Sequence, residues 1–259
     1  LKIVSADKLE RGLAYGEACF ETFRVIHGEI FAWDAHCQRL ATGLAEFGIT
    51  LSDADSERLR DASLKQAEQV GSDVLVRVTV SGGSAEWGLA NVSEAPVAYI
   101  QVVSAPVRQK MAILMMRNWP FPLKAKPAKF TSDYAETLRV LKGSKNLDLL
   151  FEQDQKLIAT ATANLLIYRG GHWWTPLAER GVLPGVIRGH LIKAGLVHEA
   201  ECPVSWVSDC EAMALCNSGI FIRPVAAVSE IKKIAVDHPA LGELTGALAG
   251  NAGVPKELM

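Results

Sequence analysis

Apolar residues recur along this chain with two different periods. The run DVLVRVTVSGG (73–83) predicts a strand closed by a Gly-Gly turn, and VAYIQVVSAPV (97–107) predicts another that ends at Pro106. CFETFRVIHGEIFAW (19–33) reads as two short strands around a turn at His27-Gly28. Between these strands the spacing lengthens. DAHCQRLATGLAEFGI (34–49) places Leu40, Leu44 and Phe47 at helical intervals, with Asp34 as the N-cap, and SDADSERLRDASLKQAEQVG (52–71) predicts an amphipathic helix ending at Gly71.

The second half opens on a different texture. NWPFPLKAKPAKF (118–130) carries three prolines, which predicts extended, irregular chain. DYAETLRVLKG (133–143) predicts a helix, with Asp133 and Glu136 in capping-box spacing and Gly143 at its end. DLLFEQDQKLIATATANLLIYRGGHWWTP (148–176) reads as three strands turning at Gln153–Gln155 and at Gly170-Gly171. GVLPGVIRGHLIKAGL (181–196) reads as a turn leading into a helix, and EAMALCNSGIFIRPVAAV (211–228) as strand, loop and strand. The alternation predicts an α+β or α/β fold in two parts, a small N-terminal α/β domain over 1–107 and a larger domain over 108–259. There is no internal repeat, heptad array or low-complexity tract.

Composition narrows the partner. Hydrophobic residues make up 49% and charged residues 22%, with a mean hydropathy of +0.14, as in a packed globular chain. Basic and acidic residues, 27 and 29, are interspersed for a net charge of −2, so there is no electrostatic footprint for nucleic acid or an anionic membrane. A small-molecule partner is expected. No apolar run approaches the roughly 20 residues that cross a bilayer, and LKIVSADKLERG lacks a signal-peptide core, which favours the cytoplasm. Five cysteines without a C-x-x-C pair predict reduced, mostly buried thiols, and six scattered histidines give no support for a metal site.

Four places carry candidate chemistry. Gly185 precedes a helix start, where the N–H groups of Val186 and Ile187 lack intrahelical partners and suit an anion; an ordinary glycine turn has the same pattern. Arg39, on the helix after His36, is either a bidentate phosphate ligand or a solvated helix arginine. Arg77 sits inside an apolar strand, so it reaches solvent from the polar face or serves a carboxylate in a cleft. Lys129, just ahead of Thr-Ser-Asp-Tyr, is a surface charge or a nucleophilic amine. No P-loop, dinucleotide fingerprint or G-x-S-x-G elbow occurs.

Taken in order, these segments resemble the class IV (fold-type IV) pyridoxal-phosphate enzymes, a group that includes branched-chain and D-amino-acid aminotransferases and aminodeoxychorismate lyases. RGLAYGEACFETFRVIHGEIFAWDAHCQRL (11–40) is similar to the family's opening, which makes Arg39 the ligand of the cofactor phosphate. RVTVSGG resembles the strand that points an arginine at substrate, implying substrate contacts from Arg77 and Tyr15. In KFTSDY, Lys129 and Tyr134 keep the spacing of the family's Schiff-base lysine and the tyrosine after it, which Lys124 and Lys126 do not. GVLPGVIR resembles the phosphate turn, with Val186 and Ile187 as donors and Ile187 standing where threonine is common. LCNSGIFIRPV places Asn217 and Ser218 near the cofactor.

The resemblance implies a two-domain D-amino-acid aminotransferase-like fold with pyridoxal 5'-phosphate between the domains, a small amino substrate and a homodimer. One position departs from it. The glutamate that usually pairs with the pyridine nitrogen is replaced by Ala159, which weakens the electron sink. The reaction implied is the lyase conversion of 4-amino-4-deoxychorismate to 4-aminobenzoate and pyruvate. The alternatives are transamination of branched-chain or D-amino acids, and a catalytically impaired relative.

Overall fold

β-branched and aromatic residues in ACFETFRVI hold the chain extended and begin the smaller of two main sheets. In the computed structural model, which describes residues 1, 3–91, 93, 95–107, 109–142 and 148–255, this half runs as follows. β1 (Leu9–Glu10) and α1 (Arg11–Tyr15) lead into β2 (Ala18–Ile26), β3 (Glu29–Ile30), α2 (Trp33–Ala45), α3 (Asp53–Val70), β4 (Asp73–Ser81), β5 (Ser84–Ala85) and β6 (Val97–Ser104). The sheet order is β3-β2-β4-β6, all antiparallel, and β1 pairs with β5. His27 and Gly28 both take positive φ, 49° and 80°, giving the tight turn between β2 and β3.

Strand alternation decides which residues meet the helices. Val74, Val76, Val78 and Val80 of β4 are buried, and with Cys19, Phe23 and Val25 of β2 they pack on Leu40, Leu44 and Leu59 of α2 and α3. Each such side chain contributes about 1.5–3 kcal/mol of burial. Phe20, Thr22, Arg77 and Thr79 therefore share the opposite face, where Thr22 pairs with Arg77 and Phe20 with Thr79. That face looks toward the second half, as Arg24 Nη1–H donating to Gly219 O at 3.1 Å shows.

The larger sheet starts eight residues after Ser104. It comprises β7 (Ala112–Asn118), β8 (Leu149–Gln153), β9 (Lys156–Thr160), β10 (Asn164–Arg169), β11 (His172–Pro176), β12 (Val197–Ala200), β13 (Ala212–Asn217), β14 (Phe221–Val228) and β15 (Lys232–Lys233). Its helices are α4 (Tyr134–Leu141), α5 (Val186–Lys193), α6 (Trp206–Asp209) and α7 (Ala240–Leu248). The order is β12-β11-β10-β13-β14-β7-β8-β9, with β15 added on β14. The two edges approach each other, since Leu157 N–H donates to Cys202 O at 2.8 Å and Val204 N–H to Gln155 O at 2.9 Å, so the sheet curls back on itself. Both faces are buried. Leu165, Ile167, Met213 and Leu215 belong to one apolar cluster, while Leu166, Ala214 and Cys216 join α5, α7 and Phe31 of the first half in another.

The structure departs from the sequence expectations in several places. Residues 148–176 form four strands, because Thr160 Oγ1 accepts the N–H of Ala163 at 3.0 Å and breaks the middle run. Asp34 lies in the first turn of α2, and Ala32 at φ 51° takes the N-cap position. Asp133 has helical φ and ψ, −66° and −19°, and caps nothing, since a 3-10 turn over Thr131–Asp133 feeds α4 directly. The expected end of that helix at Gly143 lies outside the described residues. β7, β12 and α7 were not anticipated. The five cysteines are free, four of them buried. Among the described residues no helix is long and apolar enough to cross a membrane, and no three His, Cys, Asp or Glu side chains cluster as metal ligands.

Candidate active site

The edge of β2 over residues 18–22 is left open by the two-residue β3, and the Pro-rich segment covers it. Phe20 N–H donates to Lys129 O at 2.9 Å and Cys19 bridges Phe130, which fixes Lys129 against the strand. Ala128 is buried where α2 passes at Gly43; a Cβ there would lie 2.5 Å from that of Ala128, so only glycine permits this approach. Lys129 then opens into a cavity of about 1150 Å³, counting its mouth. The β9–β10 turn, the start of α5 and the β13–β14 loop form the other walls.

The ammonium of Lys129 lies 5.3 Å from the centre of the Phe20 ring. Burial brings it down from 10.5 to about 8; the Glu21 charge opposes this, while Arg39 and Arg77 push it lower. About one molecule in ten therefore carries a neutral amine here at pH 7. Tyr134 starts α4 and packs on the same ring at 5.1 Å. Burial pushes its phenol up, so it keeps its proton and acts as a donor. The Arg77 guanidinium stacks on Phe20 at 3.6 Å and donates from Nε to Thr79 Oγ1 at 3.3 Å, without a carboxylate partner among the described residues.

Arg39 is buried, not solvated. Its Nε and Nη2 donate to the two oxygens of Glu21, each at 2.7 Å, and Nη1 donates to Pro184 O at 2.9 Å. One N–H on each terminal nitrogen remains, and the side chain lines the cavity. Burial by itself would raise the Glu21 carboxyl, yet hydrogen bonds from His36 and Arg39 hold it at about 2. Burial pushes His36 down, favouring the neutral ring; Nδ1–H donates to the Glu21 carboxylate at 2.7 Å, and Nε2 is buried without a hydrogen-bond partner among the described residues.

At the far wall, Gly185 caps α5 with no side-chain bond, leaving the first helix N–H groups to the cavity. A Cβ on Gly185 would come within 2.1 Å of Asn164 Oδ1. Val186 lines the cavity, whereas the Ile187 side chain is fully buried beneath it. Asn217 spends its side chain on the loop: Oδ1 accepts the N–H groups of Gly219 and Ile220, both at 2.8 Å, and Nδ2 donates to Thr162 O. Ser218 lines the cavity, and so does the methyl of Ala159.

Seven of the residues singled out from sequence thus gather around one cavity: Lys129, Arg39, Tyr134, Val186, Asn217, Ser218 and Ala159. Arg77 and Phe20 do not line it; Arg77 lies beside it, stacked on the Phe20 ring that Lys129 and Tyr134 also meet. Tyr15 is set apart, half-exposed, with its hydroxyl accepting the N–H of Gly88 at 3.3 Å. Sequence reasoning missed Glu21 and His36. The available signal was a carboxylate in ACFETFRVI on the same face as Cys19, Phe23 and Val25, where no solvent reaches.

This donor set fits pyridoxal phosphate at two ends. A desolvated amine stands on one wall, and an arginine with N–H groups to spare, a bare helix start and a hydroxyl stand ready for a dianion. At Ala159 the wall offers no charge.

Comparisons with known proteins agree. Residues 18–228 match the family described as amino-transferase class IV. An aminodeoxychorismate lyase of Bacillus subtilis is 27% identical over 197 residues, covering 71% of this chain and 66% of that protein. The crystal structure of 4-amino-4-deoxychorismate lyase from Pseudomonas aeruginosa superposes with a TM-score of 0.77 at 22% identity, covering 96% of this chain and 95% of that one. A hypothetical aminotransferase from Mycobacterium tuberculosis in its PLP-bound form gives 0.76 at 18% identity, over 96% of this chain and 94% of that one. The family match spans both sheets and every wall of the cavity, and the solved structures share the fold: the chain belongs to the class IV aminotransferase family and is a fold-type IV, pyridoxal-phosphate-dependent enzyme.

Proposed function

We propose that this enzyme converts 4-amino-4-deoxychorismate to 4-aminobenzoate and pyruvate. The observation that carries the reading is the wall at Ala159, where the cavity presents a methyl group and no carboxylate. Pyridoxal phosphate, when bound, supplies an aldehyde for the substrate amine and a ring that withdraws electrons from the adjoining carbon. Without a carboxylate to hold a proton on the pyridine nitrogen, that withdrawal is weaker. A reaction that ends in an aromatic ring has its own driving force and tolerates the weaker sink. The Bacillus subtilis relative's name supports the same choice.

In this reading the chain's own residues handle binding and protons. Arg39, the start of α5 at Val186 and Ile187, and Ser218 hold the phosphate, with Asn217 shaping the loop. Tyr134 donates from its phenol. Arg77, stacked on the Phe20 ring that Lys129 also meets, binds a substrate carboxylate, with Tyr15 further out. Lys129 would hold the cofactor and, once freed by the substrate amine, would take the proton from the ring carbon bearing nitrogen, its lowered pKa of about 8 making it a usable base near neutral pH. Loss of the ether C–O bond, with its electron pair leaving on oxygen, then releases the enolate of pyruvate, which takes a proton at its methylene carbon. One proton removed and one returned balance the reaction without water or a redox partner. Exposed apolar side chains on β6 and β7, among them Tyr99, Val103 and Ile113, support assembly as a homodimer.

The test is pyruvate release from aminodeoxychorismate by the holoenzyme and by Lys129→Ala. Release that disappears in the variant is expected. Absence of pyruvate from the wild type, with amino transfer to 2-oxoglutarate intact, refutes the lyase in favour of a transaminase.

A further inference from the structure

Among the described residues, four charged side chains besides Arg39 and Lys129 line the cavity: Lys124, Lys126, Asp133 and Glu136. They are not equivalent. Lys124 is largely exposed and stands 4.0 Å from Glu136, so its charge has a local partner. Lys126 is half-buried, forms no ion pair among the described residues, and holds its ammonium 5.5 Å from the centre of the Trp119 ring. Trp119 is itself a buried wall of the same cavity.

The backbone holds this lysine in place. It precedes Pro127 in extended chain, and the residues just beyond, Ala128 and Lys129, are pinned to α2 and β2. Asp133, in the same lining, feels its charge. Burial pushes the Asp133 carboxyl up and Lys126 leads the charges opposing that shift, yet the two groups do not come within ion-pair distance. A cation backed by indole, facing the cavity and without an ion-pair partner among the described residues, is suited to capture a carboxylate from solution.

In the reading proposed above, one substrate carboxylate goes to Arg77, which lies outside the cavity lining on the Phe20 side of Lys129. We propose that Lys126 holds a second carboxylate, at the Trp119 wall, so that the cavity selects diacids over monoacids. This rests on the reading of the cavity as the substrate site and not on which reaction follows. Asp133 sharpens the selection, since its own charge repels an anion that Lys126 does not hold.

The test uses holoenzyme and two ligands that differ only in the second acid, 3-(carboxymethoxy)benzoate and 3-methoxybenzoate, with dissociation constants measured by calorimetry. Wild type should bind the diacid at least about tenfold more tightly. That preference should fall to near unity in Lys126→Gln and survive in Lys126→Arg and in Lys124→Gln. A wild type that binds both ligands equally, or binds no diacid, overturns the inference, as does an unchanged preference in Lys126→Gln. The result separates from the lyase test. Diacid preference carried by Lys126 without pyruvate release leaves this inference standing and removes the lyase, and pyruvate release with an unchanged preference does the reverse.

Discussion

Replacing Glu21 with glutamine removes a negative charge from a place water does not reach. The residue is 2% exposed and accepts three N–H groups at 2.7 Å, two from Arg39 and one from His36. Its carboxyl is held at about 2 in the folded chain against an ordinary 4.5. Because the folded value is the lower one, the carboxylate's contribution is complete above pH ~5 and fades as pH falls toward 2. At about 1.4 kcal/mol per pK unit the difference corresponds to about 3 kcal/mol at pH 7. Breaking one side of a buried ion pair costs a similar ~3–5 kcal/mol. Glutamine keeps the shape but offers one acceptor oxygen where two received three donors, and it turns an NH₂ toward a guanidinium or an imidazole. Urea unfolding followed by tryptophan fluorescence, with equal cofactor load in both proteins, measures the gap. Glu21→Gln should be less stable by about 3 kcal/mol at pH 7, and the gap should shrink to roughly half at pH 3. A gap under about 1 kcal/mol at pH 7, or one that stays constant down to pH 3, refutes the reasoning.

The Lys129 amine, held at about 8, should react with an acylating reagent in cofactor-free enzyme along a curve centred near pH 8, since the neutral form appears above that value; a midpoint near 10.5 would contradict its desolvation. Gly43→Ala puts a methyl 2.5 Å from Ala128 Cβ and 2.8 Å from Cys19 Sγ, so it should cost about 1–3 kcal/mol in urea and weaken cofactor binding. Gly189→Ala, inside α5 with nothing within 4 Å, should instead stabilise by about 0.5–1 kcal/mol, and equal effects of the two in a thermal melt would undo the packing argument. Gly185→Ala drives a methyl to 2.1 Å from Asn164 Oδ1 and should weaken pyridoxal phosphate at least about tenfold in an equilibrium titration, the effect of ~1.4 kcal/mol; unchanged affinity would remove the start of α5 from the phosphate site.

How far the fold could be read depended on whether local chemistry marked a boundary. β4 was legible because valines alternate and a Gly-Gly pair follows. α3 was legible because its apolar stripe starts after Ser52, which the structure shows in a capping box with Asp55. The break between β9 and β10 was not, since ATATA contains no Gly or Pro and the bend comes from one threonine hydroxyl. β7 escaped notice because AILMMRN abuts the Pro-rich stretch and owes its place to parallel pairing with β8 and β14, partners distant in sequence. Among site residues, Lys129 and Arg39 stood out through motif spacing. The burial of Arg39 did not, because it is set by Glu21, eighteen residues earlier on another element. Lys126 looked like one of three neighbouring lysines; what separates it from Lys124 is a tertiary contact with Trp119, where Lys124 stands beside Glu136.

The register of β2 explains why stability and chemistry meet in this small sheet. Cys19, Glu21 and Phe23 face α2, while Phe20 and Thr22 face the larger sheet with Arg77. Lys129 is pinned at Phe20 N–H, on the edge between those faces, and so feels charge from both: Glu21 and Arg39 behind the strand, Arg77 in front of it. Slipping β2 by one residue would turn Glu21 toward the cavity and Phe20 into the helix layer. Arg39 would lose its carboxylate partner, Arg77 would lose the ring it stacks on, and a carboxylate turned to that face would further favour the protonated form of Lys129. The same alternation that buries Phe23 and Val25 therefore sets the protonation of the reactive amine. A substitution that loosens this sheet should alter the pH dependence of Lys129 before it unfolds the larger sheet, because the lysine's anchoring bond is to the smaller one.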